Sequence, residues 1–240
     1  MNIINYGTRA RIGMLLPSGN RAAEPQFHAI LPQGVSLHTT RLKLVGSSEA
    51  DLLAMVERVE EAAELVADAG ADLVVFHCTA VSTFSAELEE SIKRRVASAS
   101  GKPVTATSEA LVAALRALGA KRIVMVSPYV KPINEREAAY LRGFGFEVLD
   151  LAGLSCPTAA AMMAVTPERW KTFALEHRDQ RADAYLISCT TVRSADVIEE
   201  LERELGRPVV TSNTAAAWHC LRKLGIPDRV EGFGALLREH

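Results

Sequence analysis

Cysteine is scarce in this chain of 240 residues, which carries four: Cys78, Cys156, Cys189 and Cys220. None forms a C-x-x-C pair, and no histidine spacing completes a zinc pattern, so no metal site is expected. Two disulfides are arithmetically open. A chain with 48% hydrophobic residues can bury a core without such staples, and free thiols in the cytoplasm are the expected state. Charge of one sign is also lacking. The net charge is -2 with both signs interspersed, which leaves no basic face for nucleic acid and no acidic tail. No apolar run approaches the roughly 20 residues that span a bilayer. The opening "MNIINYGTRAR" has neither an apolar h-region nor a small-residue cleavage site, so no signal peptide is read. "GFGF" (Gly143 to Phe146) lies between a helix and a strand, the wrong order for a dinucleotide fingerprint. No cofactor is expected.

What the sequence does contain is written twice. "RIGMLLP" from Arg11 resembles "RIVMVSP" from Arg122, an offset of 111 positions. "GADLVVFHCTAVSTFSAELEESIKRRV" resembles "RADAYLISCTTVRSADVIEELERELGR", and Cys78 and Cys189 stand at the same offset of 111. "GKPVTATSEALVAALRALGA" is echoed by "GRPVVTSNTAAAWHCLRKLGI". Short apolar runs bounded by turn residues predict buried parallel strands at 12–17, 72–77, 103–106, 123–127, 184–188 and 208–211. "VSLHTTRLKL" and "FEVLDL" alternate more and predict two further strands. Amphipathic helices lie between. One is expected through "EADLLAMVERVEEAAELVADAG" to its stop at Gly70, and two more begin at Ser85 and Ser194 as N-caps. Strand–helix alternation implies an α/β fold: two similar Rossmann-like lobes with parallel sheets, related by approximate twofold symmetry. The C-terminal helix is expected to pack back on the first lobe. That divides the chain into residues 1–108 plus about 214–240, and residues 109–213.

In open parallel sheets, sites form beyond the carboxyl ends of strands. Cys78 follows "DLVVFH" and Cys189 follows "AYLIS", so each lies at such an end. If the lobes face one another, both thiols reach one small cavity. Thr79 and Thr190 follow them, and these turns together with the helix starts near Ser85 and Ser194 favour an anion. A lone strand-end cysteine is more often inert core; two at equivalent positions, both followed by Thr, are less easily dismissed. A thiol near its reference pKa of about 8.5 is mostly protonated at neutral pH, and N–H donors are expected to lower that value. One thiol would then act as nucleophile or base and the other as acid, with no cofactor. Cys220 reads as helix packing, and Cys156 as a loop residue bordering the site. His77 reads as structural, because neighbours on a strand point to opposite faces. Asn20 reads equally as a helix cap, and Tyr129 also as a lobe-interface tyrosine. Ser212 and Asn213 read as an N-cap.

The stretches "LLPSGNRAAEP", "FHCTAVSTF", "ALRALGAKRIVMVSPYVKPINE", "LISCTTVRS" and "GRPVVTSN" resemble the aspartate/glutamate racemase superfamily. The nearer resemblance is to the branch of maleate cis-trans isomerases and arylmalonate decarboxylases. Decarboxylases of this branch keep only the second cysteine, with glycine at the first place, where this chain has Cys78. The isomerases keep both cysteines, an Asn after a Pro-Ser turn (here Pro17, Ser18 and Asn20) and a Tyr in the second lobe (here Tyr129). The resemblance implies a small carboxylate substrate held by Pro17, Ser18, Asn20, Thr79, Tyr129 and Thr190, and catalysis by Cys78 and Cys189. It implies addition of a Cys78 thiolate to maleate, rotation, and elimination of fumarate, with Cys189 moving the proton. The alternatives are an amino-acid racemase with two-cysteine acid/base chemistry, an arylmalonate-type decarboxylase, and a non-catalytic dicarboxylate-binding protein. A homodimer is implied by resemblance alone. The segment Gly153 to Trp170 departs from the repeat and is the candidate lid or specificity segment.

Overall fold

The computed structural model of the chain describes residues 4–46 and 48–240. The first sheet comprises β1 (Ala10–Pro17), β2 (Val35–Leu42), β3 (Leu73–Phe76) and β4 (Val104–Ala106), in the order β2-β1-β3-β4. The second comprises β5 (Arg122–Ser127), β6 (Glu147–Gly153), β7 (Ala184–Ile187) and β8 (Val209–Thr211), in the order β6-β5-β7-β8. Every pairing is parallel. The two lobes therefore share one topology, as the internal repeat predicts.

The strand runs are apolar throughout because both faces of each sheet are covered. Successive side chains divide between two cores. Ile12, Met14, Leu73 and Val75 enter one, together with Ile123, Met125 and Leu186 from the second sheet. Leu15, Val74 and Phe76 enter the other, with Val124, Val126 and Ile187. Each core is continuous across both sheets, so the lobes are fused through apolar packing. The Ser212–Lys223 helix, which follows β8, packs against the Ala23–Ile30 and Thr107–Ala117 helices.

Local chemistry fixes the crossover helices. Ser85 caps the Ala86–Ser100 helix by accepting the Leu88 N–H at 3.1 Å, and Gly101 ends it in the left-handed region at φ 65°. Three expectations need correction. The segment expected as one helix to Gly70 is broken into Glu49–Ala54, a 3₁₀ turn Met55–Arg58, and Val59–Asp68. Arg95 there donates to the Val56 carbonyl at 3.0 Å, an insertion of the kind that interrupts a helical ladder. Ser194 caps nothing: a 3₁₀ turn (Ala195–Val197) precedes the Ile198–Leu205 helix, and the Ser194 hydroxyl is buried without a hydrogen-bond partner. The Ser212–Lys223 helix is capped by Thr211 in a capping box with Thr214, which frees Ser212 and Asn213 for other contacts.

Candidate active site

The carboxyl ends of β3 and β7 deliver Cys78 and Cys189 to one cavity of about 130 Å³. Asn20, Tyr129, Thr190 and Pro17 line the same cavity. That volume falls below the roughly 300–1,000 Å³ usual for drug-sized ligands, so the space suits a small acid. Its polar side holds the two sulfurs with Asn20, Tyr129, Thr190 and Thr191; Leu44, Leu52, Ile133 and Met162 form an apolar wall opposite in character. No Lys, Arg, His, Asp or Glu is among its lining residues. An anion entering it must be met by neutral donors.

Cys78 is extended (φ -147°) and opens the short Thr79–Ser82 turn of helix, whose first N–H groups are unpaired by geometry. The N–H groups of Ala80 and Val81 bond to its sulfur. Cys189 adopts φ 108°, a left-handed conformation that L side chains rarely take and that costs of order 1–3 kcal/mol. The Ser212 hydroxyl oxygen holds it there by accepting the Cys189 N–H at 3.0 Å. The same oxygen accepts the Thr79 hydroxyl at 2.9 Å, so one atom ties the two cysteine loops together. The Cys189 sulfur accepts the Thr191 N–H at 3.3 Å and is hydrogen-bonded by the Tyr129 hydroxyl.

Tyr129 is gripped through its backbone. Its N–H donates to Ser127 Oγ at 3.0 Å and its carbonyl accepts Asn134 Nδ2 at 3.3 Å. Gly153, at the end of β6, permits this because a Cβ there would collide with the Tyr129 carbonyl. Asn20 serves the helix start, one of the two roles expected of it. Its Oδ1 accepts the N–H groups of Ala22 and Ala23 at 2.9 and 3.0 Å, the start of the Ala23–Ile30 helix. Its Nδ2, fixed by that choice, donates to Thr190 Oγ1 at 3.0 Å across the lobe boundary.

Burial raises the Cys78 thiol to about 12 and the Cys189 thiol to about 11. The N–H donors oppose this but do not overcome it, which corrects the expected lowering. Burial likewise pushes the Tyr129 hydroxyl well above its ordinary value. With both thiols protonated, the site is electrically neutral until a proton moves within it.

Two expected substrate contacts are not on the cavity wall. Thr79 spends its hydroxyl on Ser212, and Ser18 Oγ accepts the Leu44 N–H at 3.1 Å, anchoring the loop that bears Leu44 and Val45. Cys156 is half-buried and lines another part of the packing, and Cys220 is fully buried in its helix. All four cysteines are free thiols. From the Gly153–Trp170 segment, Pro157, Thr158, Ala159 and Met162 reach the cavity. His77 is fully buried, with Nδ1 3.0 Å from Thr107 Oγ1 and Nε2 2.8 Å from Asn213 Oδ1; burial lowers it to about 4, so it stands neutral. Asn213 Nδ2 continues to Gln26 Oε1 at 2.8 Å, and Gln26 Nε2 to the Val192 carbonyl at 2.7 Å, another bridge between the lobes. The linking roles of Ser212, Asn213 and Gln26 were not foreseen; the "TSN" run was their only trace. Among the described residues no cluster of metal-ligating side chains exists, and no helix is long and apolar enough to cross a membrane.

A family model described as arylmalonate decarboxylase matches residues 12–237. A maleate isomerase of Nocardia farcinica is 31% identical over 240 residues, covering 95% of this chain and 96% of the relative. The crystal structure of a maleate isomerase from Pseudomonas putida S16 with maleate superposes with a TM-score of 0.91 at 26% identity, covering 95% of this chain and 97% of that one. A cysteine-to-serine variant of the Nocardia farcinica maleate cis-trans isomerase, with a covalently bound succinylcysteine intermediate, superposes at a TM-score of 0.89 with 29% identity over 96% of this chain and 99% of its own.

Proposed function

Because the chain belongs to the arylmalonate decarboxylase family and brings two thiols to one small neutral cavity, we propose that it is a cofactor-independent isomerase converting maleate to fumarate. The observation that carries this reading is the pair of sulfurs on a shared wall. Relatives with the same fold and matching length act as maleate isomerases, and one was trapped as a succinyl thioether.

The geometry assigns the roles. The carboxylates of the substrate meet the amide of Asn20, the Thr190 and Tyr129 hydroxyls and the N–H groups of the cysteine turns. Cys78 passes its proton to the adjacent substrate carboxylate and becomes a thiolate steadied by the Ala80 and Val81 N–H groups. Its sulfur adds to one alkene carbon; the π pair moves to the neighbouring carbon and is spread onto the attached carboxylate. Hydrogen-bond donors fixed before the reaction stabilise that charge best. Cys189, the thiol hydrogen-bonded by Tyr129, gives its proton to that carbon and becomes a thiolate. The former double bond is now single and rotates. Cys189 then takes the proton back, the carbon–sulfur bond breaks, the carboxyl returns its proton to the Cys78 sulfur, and fumarate leaves with both thiols restored. No electron is gained or lost overall.

Incubation of the protein with maleate, followed by the vinylic proton signals in NMR, tests the reading directly. Conversion to fumarate is expected. Absence of conversion, with deuterium uptake at the α-carbon of aspartate or glutamate, would assign a racemase instead. One observation favours a second reading: the apolar wall of Leu44, Leu52, Ile133 and Met162 would seat the substituent of a malonate. Arylmalonate-type decarboxylation would appear as carbon dioxide release that survives Cys78→Gly. Four free thiols fit a cytoplasmic setting, and the lobe division given above, residues 1–108 plus about 214–240 against 109–213, fits the packing of the Ser212–Lys223 helix. A homodimer is inferred from the resemblance, and light scattering of the purified chain tests it.

A further inference from the structure

Glu137 is a carboxyl in a place that gives it nothing obvious to do. It lies within the Lys131–Gly143 helix and is 1% exposed. Its Oε1 accepts the Ser188 hydroxyl at 2.5 Å, and its Oε2 is buried without a hydrogen-bond partner. Neither Lys nor Arg pairs with it among the described residues. It does not line the cavity, so it does not touch substrate. Yet Ser188 is the residue immediately before Cys189, and the Glu137 charge is felt at both Cys189 and Tyr129.

The internal repeat supplies a control within the same molecule. The offset of 111 that relates the two cysteines also relates Glu137 to Gln26, and Ser188 to His77. In the first lobe Gln26 reaches the residue before Cys78 through Asn213, and every link is a neutral amide or imidazole. In the second lobe the corresponding helix position reaches the residue before Cys189 through one hydroxyl, and the group there can ionise. A buried acceptor without a donor is costly in a carboxylate and tolerable in a carboxylic acid, which has one formal charge less to solvate.

We propose that Glu137 is a positioning residue acting on Cys189 through Ser188: while its carboxyl keeps its proton, Cys189 can become a thiolate, and once that proton is lost to solvent the sulfur is held as a thiol. The titratable groups that feel its charge are Cys189 and Tyr129, and the Ser188 hydroxyl is its hydrogen-bond donor. Burial raises the Glu137 carboxyl to about 7, with the Ser188 hydroxyl opposing, so the change falls in the neutral range. Ionised Glu137 pushes Cys189 and Tyr129 further up, because a second negative charge in the same dry region is repelled. The proposal rests on the two-cysteine reading for its importance in turnover, but its test uses no substrate.

The experiment is site-resolved alkylation. The full-length protein is treated with iodoacetamide across pH 6 to 9, and modification of Cys189 and Cys220 is followed separately by mass spectrometry. In the unaltered protein the logarithm of the Cys189 rate should bend towards a plateau as the pH passes about 7, while Cys220 rises without that bend. Glu137→Gln, which installs the first lobe's amide, should abolish the bend and move the Cys189 profile about one pH unit lower, roughly a tenfold faster reaction at pH 8. A Cys189 profile without the bend in the unaltered protein overturns the proposal whatever the variant does. Superimposable profiles for the two proteins, with unchanged melting temperature, overturn it equally. Failure to turn over maleate would sink the isomerase reading and leave these profiles standing.

Discussion

Cys78 and Cys189 close equivalent strands, yet the chain leaves them in opposite ways. After Cys78 the backbone is extended and enters a turn of helix, and the sulfur is addressed by two backbone N–H groups. At Cys189 the backbone is left-handed, and the sulfur is addressed by one N–H and a tyrosine hydroxyl, with a buried carboxyl hydrogen-bonded to the preceding Ser188. The first sulfur sits among fixed dipoles that cannot give up a proton. The second sits in a chain of groups that can. Duplication set the two thiols at matching places, and the surroundings separated a nucleophile from an acid.

The largest effect expected from breaking this comparison comes from the sulfurs themselves. Cys78→Ala and Cys189→Ala should each lower kcat for maleate by about 10⁴-fold or more, since each removes a reacting group. The more telling variant is Cys189→Ser, soaked with maleate and examined by peptide mass spectrometry. An adduct on Cys78 is expected; its absence, with an adduct on Cys189 in the Cys78→Ser protein, would reverse the roles. Next in size, Tyr129→Phe should cost about 10²-fold in kcat by removing a preorganised donor, while the matching loss in the first lobe has no side chain to delete.

Stability against pH separates the same two regions. His77, before Cys78, titrates lower in the folded protein (about 4) than in the unfolded one (about 6.5). The unfolded chain binds more protons between these values, so stability is lost as pH falls from about 6.5 towards 4, by at most about 3 kcal/mol. Glu137, hydrogen-bonded to the Ser188 that precedes Cys189, is raised from 4.5 to about 7. Here the folded state binds the extra proton, so stability is lost as pH rises from about 4.5 through 7. The two windows overlap between about pH 4.5 and 6.5 and offset one another there, so urea unfolding from pH 4 to 8 should show a broad plateau that falls away below about 4.5 and above about 6.5. Glu137→Gln should remove the falling contribution, so that stability climbs from pH 4 to about 6.5 and then stays level; a variant that keeps the fall above pH 6.5 would contradict the assignment. The smallest effect concerns the crossover helices. Ser85→Ala should cost about 1 kcal/mol as a lost cap, whereas Ser194→Ala removes a buried hydroxyl that has no partner and should be neutral or slightly stabilising.

Much of the fold was legible because apolar runs and turn residues repeat at one offset. All eight strands lie where the runs predict them, including the alternating pair β2 and β6. The pairing of Cys78 with Cys189 followed from the same offset. What escaped the sequence was set by contacts between lobes. Nothing in "SCTT" announces a left-handed cysteine, because that conformation depends on Ser212, 23 residues on. Ser194 reads as a cap as well as Ser85 does, but the chain reaches it from a different turn. Thr79 and Ser18 carry the right hydroxyls and turn them to neighbours rather than to the cavity. Glu137 hides in "NEREAAYLRG", a charge-rich helix that reads as a solvated face. Only its register against Gln26 marks it, and that register became meaningful once Ser188 was seen beside it.

The Ser212 oxygen that receives both the Thr79 hydroxyl and the Cys189 N–H acts as a pivot with one atom's tolerance. Parting of the lobes would take the Thr79 hydroxyl away from it and leave the Cys189 N–H, which belongs to the same lobe as Ser212, in place. The exchange rate of the Cys189 amide is then a gauge of how firmly its own lobe holds the left-handed turn, quickening when Ser212 becomes alanine.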